Sequence, residues 1–488
     1  MHWIDTSVVL LYLAGTLVLG LLLARRVRSG HDFFLAGRRL PFWAIGMSLV
    51  VTDIGALEMV GGTGNAYRFG IAQANFEWIG CVPAMVIGGL LFVPIYWKLG
   101  IHSIPEFLGR TYGPAVRAVL GIVAVVFLGA ALGIFFEASA VMFEGVLGWS
   151  RWTSIAVTAI VVAIYTSGGG LGAVVYTDVI QCVILFAGGL AIAGVAMAEV
   201  GGLGGLRDGL AALGDRTAHH LELLQPDELV DERGEPLGLP WTGVLVGLGI
   251  VLSPAYWLGN QAIVQRTLGA RDVWHARASM LLGAALKIVV PVAFVVPGLL
   301  GVVLLADRPP AEANDVYPIL VRELAPVGIR GLVYAAFLAA LMSTVDSYAN
   351  SAATVLVKDL YARFLVRGRE DGHHLWVGRV GSLAIIAFGV AMVPVVARYG
   401  TIYEAFQSYL SFFQGPTLAL ILGAVLWRRA SPAGGLACLA GGIGTAAVLH
   451  AAGGLHYLHV AWWSFVASVA CLVLGSWRTR RGGREASA

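Results

Sequence analysis

Residues 53–62 read "DIGALEMVGG". The segment lies in a strongly apolar part of the chain, yet it carries two carboxylates, Asp53 and Glu58, and three glycines, Gly55, Gly61 and Gly62. A charge at the centre of a bilayer costs at least about 2.5–3.5 kcal/mol on insertion scales, so an intramembrane carboxylate is a functional candidate by default. Glycines beside two such charges predict an interrupted membrane helix. Unwound backbone of this kind is tolerated where it lines a binding site.

The rest of the chain supplies the membrane. Of its 488 residues, 58% are hydrophobic and only 12% charged, and the mean hydropathy is +0.80. No soluble domain of this size needs so much apolar surface, so the chain reads as a polytopic, all-α membrane protein. Runs close to the roughly 20 residues that span a bilayer fall near 5–25, 41–64, 74–97, 117–147, 153–169, 172–198, 240–262, 279–304, 329–360, 377–399, 405–427, 433–451 and 459–477. They predict about 13 transmembrane helices. The first run has no basic leader and reads as a retained helix rather than a signal peptide.

Positive charge is almost all arginine, in short groups between these runs. The groups are Arg25, Arg26, Arg28, Arg38 and Arg39; Lys98, Arg110 and Arg117; Arg266, Arg271 and Arg277; Arg363, Arg367, Arg369 and Arg379; Arg428 and Arg429; and the tail Arg478, Arg480, Arg481 and Arg484. With 13 helices they all fall on one side, so the positive-inside rule predicts an extracytoplasmic N-terminus and a cytoplasmic C-terminus. The composition fits a bacterial inner membrane. The four cysteines lie in apolar runs without paired spacing and suggest neither a disulfide framework nor a metal site.

A second interrupted stretch, "VLSPAYWLGNQA" at 251–262, carries Pro254 and Gly259. Broken helices at corresponding places in two halves point to inverted repeats sharing a midplane site. The expected organisation is a single membrane domain over 1–488. It comprises a peripheral first helix and cytoplasmic loop (1–40), a first five-helix repeat (41–198), an extracellular loop (199–239), a second repeat (240–427), and peripheral last helices with the tail (428–488).

The intramembrane ionisable candidates are Asp53, Glu58, Glu77, Asp178, Lys287 and Asp346. In "ALMSTVDSYANS", 340–351, Ser343, Thr344, Ser347 and Ser351 fall three, four and seven residues apart, so part of this polar set lines one helix face. Hydroxyls so arranged suit a small hard cation, or simply bond to the preceding turn. Tyr256 and Trp257 can stack on a flat apolar ligand face or pack in the core.

Taken in order, "LAGRRLPFWAIGMSLVVTDIG" at 36–55, "FEW" at 76–78, "IPEFLGRTYG" at 104–113, "YTSGGGLGAVVYTDVIQ" at 165–181, "QAIVQRTLGA" at 261–270, "AALMSTVDSYANSAATVLVKDLY" at 339–361 and "VLWRR" ending at 429 resemble the sodium/solute symporter family. The likeness is greatest to its sodium/glucose cotransporter branch, and it covers more than 400 residues. The resemblance implies a LeuT-like fold of two inverted five-helix repeats whose first core helix is unwound in mid-membrane. It also implies sodium-coupled symport with no covalent chemistry, so the chain is expected not to be an enzyme. Na+ is the expected coupling ion, with a small polar organic solute, a sugar by resemblance, as partner. No nucleic acid and no obligate protein partner are expected, and the lipid bilayer is the surroundings.

Residue by residue, the family's sodium site falls on the backbone of Val51, Ile54 and Ala340 and the hydroxyls of Ser343 and Thr344. A second cation site, present in some members, would involve Asp178, Ser343, Asp346 and Ser347. The sugar-contact positions fall on Asp53, Glu58, Glu77, Ser253, Tyr256, Trp257, Lys287 and Gln407. Two depart from the family pattern: Asp53 stands where asparagine is usual, and Glu58 where histidine or glutamine is usual. The substrate can carry an amine that pairs with them; one carboxylate can be held protonated, bringing a proton into coupling; or Asp53 or Glu58 pairs with Lys287 or Arg68 and only shapes the site. Proton-coupled or non-sugar symport, and a sodium-dependent solute sensor, are the alternative functions.

Overall fold

The computed structural model describes residues 2–24, 30–229, 238–366, 371–396 and 402–477. Of the topology-setting cations, Arg25, Arg26, Arg28, Arg367, Arg369, Arg478, Arg480, Arg481 and Arg484 lie outside the described residues. Among those described there are helices and no strands, apart from two isolated bridges. In chain order the long helices are α1 (Trp3–Ala24), α2 (Phe42–Asp53), α3 (Leu57–Ala74), α4 (Phe76–Leu99), α5 (Ile104–Leu147), α6 (Arg151–Val200), α7 (Gly243–Gly259), α8 (Gln261–Leu268), α9 (Val273–Leu304), α10 (Ile329–Leu365), α11 (Gly372–Val396), α12 (Ile402–Leu426), α13 (Pro432–Ala452) and α14 (Tyr457–Trp477).

Among the described residues ten helices are long and apolar enough to cross a membrane, and twelve when each bent pair counts as one span. The described part of each of the thirteen apolar runs falls mainly on one of these spans, on a bent pair, or on the shorter apolar helix Arg151–Ala163 at the start of α6. Local chemistry sets the ends. Ser103, Ser150, Asn260 and Asp272 each accept a backbone N–H of the following helix through the side chain, capping α5, α6, α8 and α9. Gly170, at φ +56, kinks α6, a conformation that an L side chain resists.

Two spans are broken rather than turned. The α2–α3 pair bends by 55° around 54–56, and the α7–α8 pair by 51° around Asn260. Beside each break the turns widen: Thr63 N–H reaches Glu58 O, Val82 N–H reaches Glu77 O, and Ser253 N–H reaches Leu248 O, each five residues back. Such π-type turns cluster at functional sites. Leu40 and Gly269–Arg271, flanking the two broken spans, are tied by Leu40 N–H to Gly269 O (3.1 Å) and Arg271 N–H to Leu40 O (3.2 Å).

At the centre stands α10, the most enclosed of the ten unbroken spans among the described residues, with 89% of its most apolar window buried. It packs closely on α6, where a Cβ on Gly188 would stand 2.6 Å from that of Ala336; small residues at such crossings let helix backbones approach in lipid. The longer connections carry short helices, Gly202–Ala212, which is largely exposed, and Val316–Leu324, which buries Val316, Tyr317, Leu320 and Val321.

One reading of the sequence is corrected here. Arg266 belongs to no loop: it lies on α8, 1% exposed, inside the bundle.

Candidate functional site

Both breaks face α10 and create the polar interior. At the first, Ile54 leaves the helical region (φ −82, ψ 81). The Gly55 N–H, which in a continuous helix would bond to Val51 O, donates instead to Asp53 O (3.0 Å) and Glu58 Oε2 (2.9 Å). That redirection frees the Val51 carbonyl, and it gives Glu58 a structural partner. On the facing helix, Thr344 Oγ1 donates to Thr52 O (3.1 Å) and Ala340 O (2.9 Å). The approach is close: a Cβ on Gly55 would lie 2.6 Å from Thr344 Oγ1. Ser343, 1% exposed, donates to Asp178 Oδ1 (2.6 Å) and lies 3.4 Å from the Thr52 hydroxyl. Val51, Ile54, Ala340, Ser343 and Thr344 are thus brought together at one junction of α2 and α10, all five buried. Their backbone carbonyls and hydroxyls are the hard oxygen donors that a small cation takes.

A few residues along α10, Ser347 donates to Ser343 O and shares a 3.2 Å contact with Thr52 Oγ1. Asp178 reaches this region from α6, its side chain 1% exposed, and accepts from Ser48 Oγ at 2.5 Å. Arg266 enters from α8. Asp346 is 3% exposed on the same α10 turn.

The solute-contact candidates form a second group. Asp53, Glu58, Glu77, Ser253, Tyr256, Trp257 and Gln407 line one cavity of about 40 Å³, together with Phe76, Tyr403, Phe406 and other apolar residues. Lys287 stands behind its wall, fully buried on α9. Its ammonium bonds to Asp53 and donates to Glu77 at 3.0 Å, and it lies 5.8 Å from the centre of the Trp257 ring. All eight positions therefore meet, although Asp53 and Lys287 are 234 residues apart in the chain. Arg68, the other cation considered for the two unusual carboxylates, pairs instead with Glu404 at 2.8 Å. Three carboxylates and one ammonium leave a formal surplus of two negative charges around the cavity.

Aromatic and hydroxyl groups close the cavity. The Tyr256 hydroxyl lies 3.0 Å from that of Tyr348, which Asn260 also approaches at the second break (3.5 Å). The Phe76 and Tyr403 rings pack edge to face with centroids 5.0 Å apart. Sequence reasoning did not single out Phe76, Tyr403, Phe406, Tyr348, Thr52 or Ser48. The hydroxyl of Thr52, next to the carboxylate of Asp53 and one turn from Ser48, carried a signal of the kind used for Ser343 and Thr344; the aromatics carried none.

The model for the sodium:solute symporter family matches residues 33–444. A sodium/glucose cotransporter of Vibrio parahaemolyticus is 31% identical over 461 residues, covering 89% of this chain and 83% of its own. Sodium/glucose cotransporter 1 of Mus musculus is 30% identical, covering 98% of this chain and 78% of its own. Among solved structures, the substrate-bound outward-open state of a Na+-coupled sialic acid symporter superposes with a TM-score of 0.86 at 19% identity, covering 98% of both chains. A closed nucleobase-cation-symport-1 family transporter superposes at 0.53 and 14% identity, covering 91% of this chain and 92% of its own. These structural likenesses show a common fold.

Proposed function

The chain belongs to the sodium:solute symporter family, a multi-pass membrane protein that moves a solute together with sodium, and we propose that the solute is a neutral sugar or sugar-like polyol. The single observation that carries this reading is the convergence of Asp53, Glu58, Glu77, Ser253, Tyr256, Trp257 and Gln407 on one cavity, with Lys287 bonded to two of them. A polyol presents several hydroxyls, each costly to bury without a partner, and this set offers both donors and acceptors for them. Trp257 and Tyr256 supply flat apolar faces for the ring. Asp53 engages Lys287 and Glu58 engages Gly55 N–H, which favours a shaping role for the two unusual carboxylates over direct pairing with an amine. The names of the sodium/glucose relatives agree with a sugar.

A second reading, an amine-bearing sugar, has the surplus of two carboxylates in its favour. A solute ammonium would neutralise part of that charge.

In the proposed cycle, sodium is held by the carbonyls of Val51, Ile54 and Ala340 and the hydroxyls of Ser343 and Thr344. Its binding ties the unwound 54–56 segment to α10 and so orders the carboxylates on either side of the break. Solute enters the adjoining cavity, which is small: about 40 Å³ is room for roughly three waters, so the Phe76–Tyr403 side has to part for a sugar. Separation of Tyr256 from Tyr348 releases it on the opposite side. Coupling is reciprocal, so a solute whose binding sodium tightens must tighten sodium binding by the same factor. The repeats are assigned to 41–198 and 240–427, with 1–40 and 428–488 peripheral and 199–239 an external loop. The location is the cell inner membrane, N-terminus outside and C-terminus in the cytoplasm, on the side favoured by the arginine groups.

Thermal stabilisation of purified protein by neutral sugars, amino sugars, polyols and amino acids, each in sodium and in potassium, tests the reading. Stabilisation by a neutral sugar in sodium alone is the expected result. Stabilisation only by amine-bearing compounds would favour the second reading, and none by any sugar would refute both.

A further inference from the structure

Within the set Asp178, Ser343, Asp346 and Ser347, both carboxylate oxygens of Asp178 are engaged by protein donors, which leaves little for a metal ion. Oδ1 accepts from Ser343 Oγ at 2.6 Å; Oδ2 accepts from Ser48 Oγ at 2.5 Å and from Arg266 Nη2 at 3.4 Å. Arg266 also donates through Nε to Ser48 Oγ at 2.7 Å, through Nη1 to Ala262 O, and through Nη2 to Ser347 Oγ. Ser347 in turn spends its own proton on Ser343 O. The guanidinium therefore links α2, α6 and α10 through the same carboxylate and hydroxyl that a second sodium would need, and Asp346 acts on it electrostatically as well. Both Asp178 and Arg266 have 1% side-chain exposure, so no solvent screens the ion pair.

We infer that Arg266 is a built-in cation at this place, so that the chain binds one sodium ion, at the α2–α10 junction, and not two. The inference rests on the sodium coupling stated above. Asp178 then acts as a positioning residue for that single ion. A hydroxyl has one proton and two lone pairs; donating the Ser343 proton to Asp178 turns its lone pairs toward the neighbouring Val51, Ile54, Ala340 and Thr344 oxygens. A fixed guanidinium differs from an exchangeable sodium in one functional respect: it cannot leave for the cytoplasm, so it stabilises the junction of the three helices without adding to the ion count of a transport cycle.

The test is equilibrium binding of radioactive sodium to the purified full-length protein in nanodiscs, with no solute present. One ion per chain is expected, with a Hill coefficient of about 1, since that coefficient is bounded by the number of coupled sites. Two ions per wild-type chain would overturn the inference and leave sodium coupling intact; no sodium binding at all would overturn both. In Arg266→Gln the vacated carboxylate is expected to admit a second ion, raising the count to two. The paired variant Arg266→Gln with Asp178→Asn, which removes both charges together and so tolerates burial, is expected to return to one. A count that stays at one in Arg266→Gln refutes the idea that Arg266 occupies a cation site. Asp178→Asn alone is expected to keep one ion with affinity lowered about tenfold; loss of the only ion there would make Asp178 a direct ligand and overturn the assignment.

Discussion

Replacing Lys287 by glutamine removes the only formal positive charge that touches the solute cavity's carboxylates among the described residues. The side chain has no exposed surface and holds Asp53 on one side and Glu77, at 2.9 Å, on the other. Breaking a buried pair by deleting one partner costs about 3–5 kcal/mol, because the remaining charge keeps its desolvation penalty without compensation. Here two carboxylates lose their partner at once, with Glu58 already close by. At about 1.4 kcal/mol per factor of ten, even the lower figure shifts the folding equilibrium at least about 100-fold toward the unfolded state, and the stranded carboxylates, no longer held in place, are expected to weaken solute binding as well. The assay is sodium-dependent stabilisation by whichever sugar stabilises the wild type, followed by uptake into proteoliposomes. Glu77→Gln combined with Lys287→Gln removes one of the stranded charges and should recover part of the thermal stability lost, since residues in one ion-pair network are not additive. A Lys287→Gln protein that binds its solute within about threefold of wild type, with unchanged thermal stability, would refute the assignment of Lys287 as electrostatic anchor of the cavity.

Four further outcomes follow from single contacts. Gly55→Ala places a methyl 2.6 Å from Thr344 Oγ1, which forces the break away from α10; the sodium concentration for half-maximal stabilisation should rise at least about tenfold, and an unchanged value would remove the 54–56 segment from the ion site. Thr344→Ala should weaken sodium more than Thr344→Ser, which retains the oxygen, as read by the same titration. Glu404→Gln breaks a pair whose side chains are 31% and 26% exposed, so stability should change by less than about 1 kcal/mol; a larger drop in thermal unfolding would mark a structural role. Between α13 and α14, burial pushes the imidazole of His456 down to about 3. Its depressed value means that folding favours the neutral ring: the contribution is full above the ordinary histidine range of about 6.5 and is lost as pH falls toward the folded value. The melting temperature of wild type relative to His456→Gln should therefore decline on acidification below about pH 6.5, and parallel curves would refute the burial argument.

Much of the architecture was legible because a bilayer imposes a coarse rule: every span needs an apolar run and internal backbone bonds. The interruption at 53–62 was legible for the same reason in reverse, since glycines and carboxylates have no place in an ordinary span. Proline and glycine marked the second bent region, though the break itself lies at Asn260 (ψ 120), a residue that caps α8 through its side chain. The identity of the cavity residues came from likeness to a family and not from spacing. Phe76 and Tyr403 carry no pattern that separates a cavity wall from core packing, and only their edge-to-face meeting gives them a place.

Sequence by itself determined the membrane class, the helical fold, the two interrupted spans and the family, because hydropathy, helix-breaking residues and ordered motifs act locally along the chain. The tertiary structure alone decided which charges are partners. Arg266 reads as one more loop arginine until α8 folds back and carries it against Asp178, 88 residues away; Asp53 and Glu58 read as equivalent surplus carboxylates until Lys287 takes the first and Gly55 N–H the second. Electrostatic energy depends on separation in space and on exclusion of water, and neither quantity is written in the order of residues.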